Sequence, residues 1–207
     1  MNKEEVQSKL SKKLKFSSDD LEKLSIFHLE LLKYNNKYNL ISKKTESDIW
    51  HRHILDSGQL VRFINFEDNH SLSDMGSGAG FPGIVLAIFN KNLKFHVKLY
   101  EKSNVKCDFL ENIKNKLNLG VEIFGRYQED EINSKYVVSR AFKQLDEILR
   151  ISRETIKVNH KLIILKGKNA SEEINKLQKP LEFRYKLEES ITEPKSKILI
   201  IDIKKNR

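Results

Sequence analysis

The chain has 207 residues, room for one domain with a small appendage but not for two full cores. Its 39% hydrophobic content supports a packed core, and 32% charged residues with a mean hydropathy of -0.54 give a water-facing surface. No run approaches the ~20 apolar residues of a membrane span, and the first residues lack the apolar stretch of a secretory signal. The single cysteine, Cys107, excludes an internal disulfide framework and a cysteine-built zinc site. Membrane, secreted and disulfide-scaffold classes are thereby excluded, and a reducing cytoplasmic setting is expected.

Charge adds a direction. The 38 Lys and Arg exceed the 29 Asp and Glu for a net +9, and residues 141–207 carry 16 of the basic residues against 10 acidic ones. A basic excess biased to one end suits a polyanion such as nucleic acid, although a lysine-rich surface also serves solubility.

In chain order, the first 65 residues read as helical. Ser17-Ser18-Asp19-Asp20 offers a capping box, followed by Leu21, Leu24, Phe27, Leu31, Leu32 and Tyr34 at helical spacing. Thr45-Glu46-Ser47-Asp48 is a second start signal, ahead of Ile49, Trp50, Ile54, Leu55, Leu60, Val61 and Ile64. From residue 70 short strand-like runs alternate with amphipathic segments. Strands are expected at 70–75, 95–100, 121–125, 136–139 and 162–166, with helices over 82–89, 102–117 and 144–157. Such alternation implies crossover units and a parallel sheet covered on both faces. A helix near 170–178 precedes strand-like 183–187 and 198–203, which a turn around Pro194 should join as an antiparallel hairpin at the sheet edge. Five parallel strands plus a terminal hairpin is an architecture shared by many S-adenosylmethionine methyltransferases.

The sharpest local signal is Asp74-Met75-Gly76-Ser77-Gly78-Ala79-Gly80-Phe81-Pro82-Gly83, between the first strand and a helix. Glycines let the backbone turn tightly and approach a ligand, and a helix N-terminus offers amides. Gly78 to Gly83 also satisfies the dinucleotide pattern G-x-G-x-x-G, and Glu101, 18 residues beyond Gly83, suits ribose hydroxyls for either a nicotinamide or a methyl-donor cofactor. No large second domain follows to shape a hydride acceptor, and no P-loop pattern occurs. A methyl donor is the better fit.

Other residues admit two readings. Arg140, past the fourth strand, suits the methionine carboxylate, an RNA phosphate or a surface ion pair. His53 and Asp56, three apart, share a helix face and suit a mutual hydrogen bond, while His28 belongs to the apolar stripe. Lys166 suits RNA contact or plain solvation. Arg150, Arg153, Lys157, Lys161 and Lys168 form the candidate phosphate surface. Cys107 reads as helix packing, and no adjacent prolines exist to build the D/N-P-P-Y/F loop used on exocyclic amines.

Five blocks in order carry a family resemblance: Tyr38-Asn39-Leu40, Arg52-His53-Ile54-Leu55-Asp56-Ser57, the loop Asp74–Gly83, Val138-Ser139-Arg140-Ala141-Phe142 and Leu165-Lys166-Gly167. With them the chain resembles the RsmG/GidB family of 16S rRNA guanine-N7 methyltransferases. The resemblance implies an α/β, Rossmann-like methyltransferase fold with a mostly parallel seven-stranded sheet, a terminal antiparallel hairpin and N-terminal helices. The change of rhythm along the chain divides it into an expected helical extension over 1–65 and a methyltransferase domain over 66–207. The resemblance also implies S-adenosylmethionine as cofactor, S-adenosylhomocysteine as product, and 16S rRNA or the small ribosomal subunit as partner. The cofactor contacts it carries over are Gly76, Phe81, Tyr127, Gln128 and Arg140, to which the residues themselves add Gly78 and Glu101. No metal is expected, no general base is required, and a monomer is the default. Relatives often have an acidic residue in place of Gln128 and Trp in place of Tyr34. A non-catalytic RNA-binding protein on the same fold, or a methyltransferase for another substrate, is the alternative reading.

Overall fold

The computed structural model describes residues 1–125, 132–140, 144–177 and 184–204. The chain enters through α1 (Lys3–Leu14), which an Asn2/Glu5 capping box starts and Lys15 in the left-handed region ends. α2 (Ser18–Tyr38) follows, capped by the expected box between Ser17 and Asp20. The next start is corrected. α3 (Lys43–Glu46) begins after Ser42, and Thr45 lies inside it, its hydroxyl donating to the Ser42 carbonyl at 3.0 Å. After a turn the chain re-enters helix as a π-helical turn, Trp50–Leu55, then α4 (Asp56–Gly58) and a 3-10 turn, Gln59–Phe63. Single π-turns of this kind are rare and occur frequently at functional sites.

The alternating part contains β1 (Ser71–Met75), α5 (Gly83–Phe89), β2 (His96–Tyr100), α6 (Asn104–Leu117), β3 (Val121–Phe124), β4 (Tyr136–Arg140), α7 (Leu145–Thr155) and β5 (His160–Lys166). α8 (Ala170–Asn175), β6 (Tyr185–Glu189) and β7 (Lys197–Ile203) complete it. One seven-stranded sheet results, in the order β3-β2-β1-β4-β5-β7-β6. The first five strands are mutually parallel; β7 runs antiparallel to both β5 and β6, so the terminal hairpin sits at the edge as expected. The order reverses between β1 and β4, which opens a crevice at their carboxyl ends, where open α/β sheets bind ligands.

Strand alternation divides the core into two faces. Tyr136 and Val138, Ile163 and Leu165, and Ile198 and Ile200 face one cluster; Val137, Leu162, Ile164, Leu199 and Ile201 face the other. The central strands are buried on both sides, which is why they read as continuous apolar runs. α7 covers the second face through Leu145, Ile148 and Leu149. The first face is shared with the N-terminal helices: Val6, Leu10, Leu24, Phe27, Leu31, Ile54 and Leu55 belong to the same cluster as Phe81, Ile84, Phe109 and Val138.

Phe27 is the centre of that junction. Its fully buried ring lies 5.2 Å from Phe81 and 6.2 Å from Phe109, and Tyr34 on the next turns of α2 reaches Phe109 at 5.1 Å. Phe27→Ala should cost about 3–5 kcal/mol, read as a lower urea midpoint at unchanged m-value. A loss under about 1 kcal/mol would show the helices are not packed on the sheet as described.

Candidate active site

At the tip of β1 the chain folds back on itself. Asp74 is completely buried and accepts the Gly83 amide at 2.8 Å, tying the strand end to the start of α5. A side chain at Gly83 would place its Cβ 2.2 Å from Leu99 Cδ2 and 2.6 Å from Asp74 Oδ2, so this glycine serves close packing. Between these residues Gly76, Gly78 and Gly80 all have φ between 58° and 92°, the region that disfavours every side chain. The turn is held by Gly76 and Ser77 donating to the Tyr100 carbonyl at 2.9 and 3.0 Å, and by Gly80 donating to Ser77 at 2.8 Å.

The helix-start amides are not a free anion site, which corrects that expectation. α5 has only seven residues; the Gly83 amide is taken by Asp74 and that of Ile84 by the Gly80 carbonyl. What the loop leaves open is the face at Gly78, where an added Cβ would meet only the Gly76 carbonyl oxygen at 3.9 Å. Glu101 lies against that face. Its Oε2 accepts the Gly78 amide at 2.9 Å and its Oε1 the Ser103 amide at 2.8 Å. A carboxylate has about four acceptor positions, so room remains for hydroxyl donors.

Arg140 ends β4 across the crevice. Its Nη1 donates to the Arg52 carbonyl at 3.0 Å and stands 3.9 Å from Asp56 Oδ2, while Nη2 lies 2.5 Å from His53 Nδ1. A guanidinium only donates, so Nδ1 accepts and the His53 proton resides on Nε2. Burial, reinforced by the Arg140 and Arg52 charges, pushes the His53 pKa down to about 3, which keeps the imidazole neutral. The expected His53–Asp56 bond does not form. Both residues address Arg140 instead, His53 from within the π-helical turn and Asp56 from the start of α4. The His53 ring stacks on Phe81 at 5.0 Å, and the Arg140 guanidinium lies 5.2 Å from the same ring.

The site residues therefore fall into two joined groups. Gly76, Gly78 and Glu101 share one side of the loop. Phe81 and Arg140 share the other, with the Phe81 ring turned into the core at 3% exposure. Tyr127, Gln128, Ala141 and Phe142 lie outside the described residues.

Several residues had no role in the sequence reading. Asp74 Oδ1 has no hydrogen-bond partner among the described residues, and burial pushes its pKa up to about 7 in spite of the Gly83 amide. The acidic residue opening a glycine loop was the available signal. Thr192, Gln59 and Ser190 form a network with Asp56 that no local pattern announces.

Beside Arg140 opens a cleft of about 1350 Å³ between the carboxyl ends of β4 and β5, α7 and the β6–β7 turn. Arg150 and Arg153 line it, and Arg150 pairs with Glu154 at 2.8 Å. Lys166 is neither solvated nor free, since its largely buried side chain pairs with Glu173 at 2.6 Å. The proposed phosphate surface is split as well. Lys161 sits near the amino end of β5, about 17 Å along the strand from the Lys166 end that meets the cleft. Cys107 is half-buried and its Sγ donates to the Glu101 carbonyl at 3.0 Å; burial pushes the thiol pKa up. His28 packs near Trp50 at 5.8 Å. No group of metal-ligating side chains occurs among the described residues.

The glycines make separable predictions. Gly83→Ala should cost at least about 1–3 kcal/mol by overpacking. Gly120→Ala, where an added methyl meets nothing within 4 Å, should stay within about 0.5 kcal/mol. Thermal melts compare the two, and equal losses would contradict the Asp74–Gly83 closure.

Comparison with known proteins agrees with this geometry. A model of the GidB family, described as rRNA small subunit methyltransferase G, matches residues 20–201. The ribosomal RNA small subunit methyltransferase G of Rickettsia prowazekii (strain Madrid E) is 39% identical over 190 residues, covering 91% of this chain and 97% of that protein. The protein of the same name from Rickettsia felis is 40% identical over 180 residues, covering 86% and 91%. Among solved structures, cofactor-bound Rv0187 from MTB superimposes with a TM-score of 0.63 at 11% identity, covering 100% of this chain and 99% of that one. A SAM dependent methyltransferase from Aquifex aeolicus gives a TM-score of 0.54 at 14% identity, covering 84% and 97%. The structural likenesses establish the fold, and the match along most of the sequence establishes that the chain belongs to the GidB family, rRNA small subunit methyltransferase G.

Proposed function

We propose that the protein transfers a methyl group from S-adenosylmethionine to N7 of a guanine in 16S rRNA, near the decoding centre, releasing S-adenosylhomocysteine. The observation that carries this reading is the meeting, at the reversal between β1 and β4, of an open glycine backbone with the Glu101 carboxylate, the unpaired Asp74 Oδ1 and the Arg140 cation.

These groups fit the cofactor's functional groups one by one. Gly76 and Gly78 admit close approach to the backbone, and Glu101 retains acceptor capacity for ribose hydroxyls. Arg140 suits the methionine carboxylate, and Asp74 Oδ1 suits the ammonium beside it. The family resemblance adds Tyr127 and Gln128 on the adenine side. Phe81 contributes by fixing the loop against α2 and by carrying His53 and Arg140 on its ring. The bound donor supplies an electrophilic methyl on a sulfonium. The protein's own contribution is alignment, because guanine N7 has a lone pair and no proton to remove. The Cys107 thiol, tied into α6 and shifted away from ionisation, is unsuited to act as a nucleophile.

The cleft beside Arg140 would receive the RNA, with Arg52, Arg150, Arg153, Lys176 and Lys197 around it. In this reading residues 1–65 form an extension that braces the cofactor loop, residues 66–207 form the methyltransferase domain, and the protein works in the cytoplasm as a monomer.

Incubation with labelled S-adenosylmethionine and small subunits should place label on guanine N7 of 16S rRNA, mapped by mass spectrometry; label elsewhere, or none, would refute the assignment. Gly78→Arg should weaken cofactor binding by at least about a hundredfold, while the backbone strain it adds is about 1–2 kcal/mol. Wild-type affinity by calorimetry would show the loop is misassigned. RNA affinity should fall by roughly 0.7–0.9 log units per log salt for each phosphate neutralised, and Arg153→Glu should lower that slope relative to Lys161→Glu, which lies at the far end of β5.

A further inference from the structure

Asp56 stands between the arginine at the cofactor end of the site and the turn that walls the cleft. Its Oδ1 accepts two donors, Gln59 Nε2 at 2.9 Å and Thr192 Oγ1 at 2.8 Å. The same Gln59 accepts the Ile191 amide at 2.9 Å and donates to Ser190 Oγ at 3.0 Å. His51 Nε2 donates to the Thr192 carbonyl at 2.9 Å, and Arg62 to the Glu189 carbonyl at 3.2 Å. The segment 51–62 thus clasps residues 189–192, the beginning of the β6–β7 turn, across a sequence gap of more than a hundred residues. The other Asp56 oxygen, Oδ2, faces Arg140 Nη1 at 3.9 Å. Asp56, His51, Arg140, Ser190 and Thr192 all line the cleft.

Fastening a turn requires acceptors, which a neutral amide supplies. A mostly buried carboxylate is costly to desolvate and is warranted where a cation faces it. We propose that Asp56 is a positioning residue for methyl transfer, holding Arg140 and the β6–β7 turn in one fixed relation so that the cofactor end and the RNA wall of the cleft stay in register. The proposal rests on the reading of Arg140 as a cofactor contact and of the cleft as the RNA site. Asp56 belongs to the cleft wall and acts through Arg140 on one side and Thr192 on the other.

Two substitutions separate its two arms. Asp56→Asn keeps an Oδ1 acceptor for Thr192 and Gln59 but removes the charge facing Arg140. Thr192→Val removes the hydroxyl donor and leaves the charge, and Thr192→Ser restores the donor. The full chain is assayed with S-adenosylmethionine by calorimetry and with small subunits by steady-state transfer of labelled methyl, alongside thermal melts. Asp56→Asn is expected to weaken S-adenosylmethionine and lower kcat by about five- to tenfold, in the range of coupling between groups of one network, with Tm held within about 4 °C. Thr192→Val is expected to raise KM for the subunit about three- to fivefold and leave cofactor affinity within about twofold, with Thr192→Ser returning to wild type. A wild-type enzyme that binds and methylates while Asp56→Asn matches it overturns the role of Asp56. Should Asp56→Asn fail to fold, Thr192→Val with an unchanged subunit KM overturns it equally. A wild type that binds no S-adenosylmethionine overturns the underlying reading instead, and this proposal with it.

Discussion

The hydrogen bond from the Gly83 amide to Asp74 is the closure on which the rest of the site depends. It joins the end of β1 to the start of α5 across nine residues, so the intervening chain must reverse within a very short path. That path is why Gly76, Gly78 and Gly80 occupy positive φ, and why Gly83 cannot carry a side chain against Leu99. The closure also fully buries the Asp74 carboxylate. Burying it costs free energy, and the shift of its pKa to about 7 records that cost. Buried polar groups with no internal partner are uncommon, and Asp74 Oδ1 is one of the few among the described residues.

The same closure places Phe81 so that it leaves the loop on the side of the N-terminal helices. Phe27 supports one part of the ring, while His53 and Arg140 occupy others. A change in α2 therefore reaches the end of β4 through packed aromatic and guanidinium groups, without any covalent shortcut. The neutral His53 is essential to this arrangement as described. A protonated imidazole would present a donor and a second positive charge to Arg140, and both Arg140 and Arg52 push its pKa down. Burial thus selects the protonation state that packing requires.

Charge is distributed unevenly between the two sides of Arg140. Toward the loop stand Asp74 and Glu101, carboxylates with amides as partners. Toward the cleft, cations predominate around a shallow opening, although Arg150 and Lys166 are already engaged by Glu154 and Glu173. An acceptor-rich recess beside a cation-rich cleft suits a positively charged methyl donor next to a polyanionic acceptor.

Much of this fold is legible in the chain order of residues. The alternation from residue 70 onward marked all seven strands, most plainly β4, β5 and β7, whose buried runs of Val, Ile and Leu are bounded by polar turns; the exposed β6 lies two residues later than its pattern suggested. The glycine loop was legible for a related reason: a backbone conformation closed to side chains leaves glycine as its trace. The helix boundary at Ser42 was not, since Thr45 carries the stronger local start pattern while in the structure it lies inside α3 and Ser42 precedes the helix without a side-chain capping bond. Nor could spacing reveal that His53 turns from Asp56 to Arg140, or that Asp56 grips Thr192. Periodicity reports which side of an element faces inward, whereas those contacts depend on where elements distant in sequence are brought by the sheet. The sequence by itself determined the strands, the loop and the family; the tertiary structure alone decided which cations are already paired, which carboxylates remain partly unsatisfied, and how the two ends of the chain meet around Arg140, because these are long-range packing outcomes with no local signature.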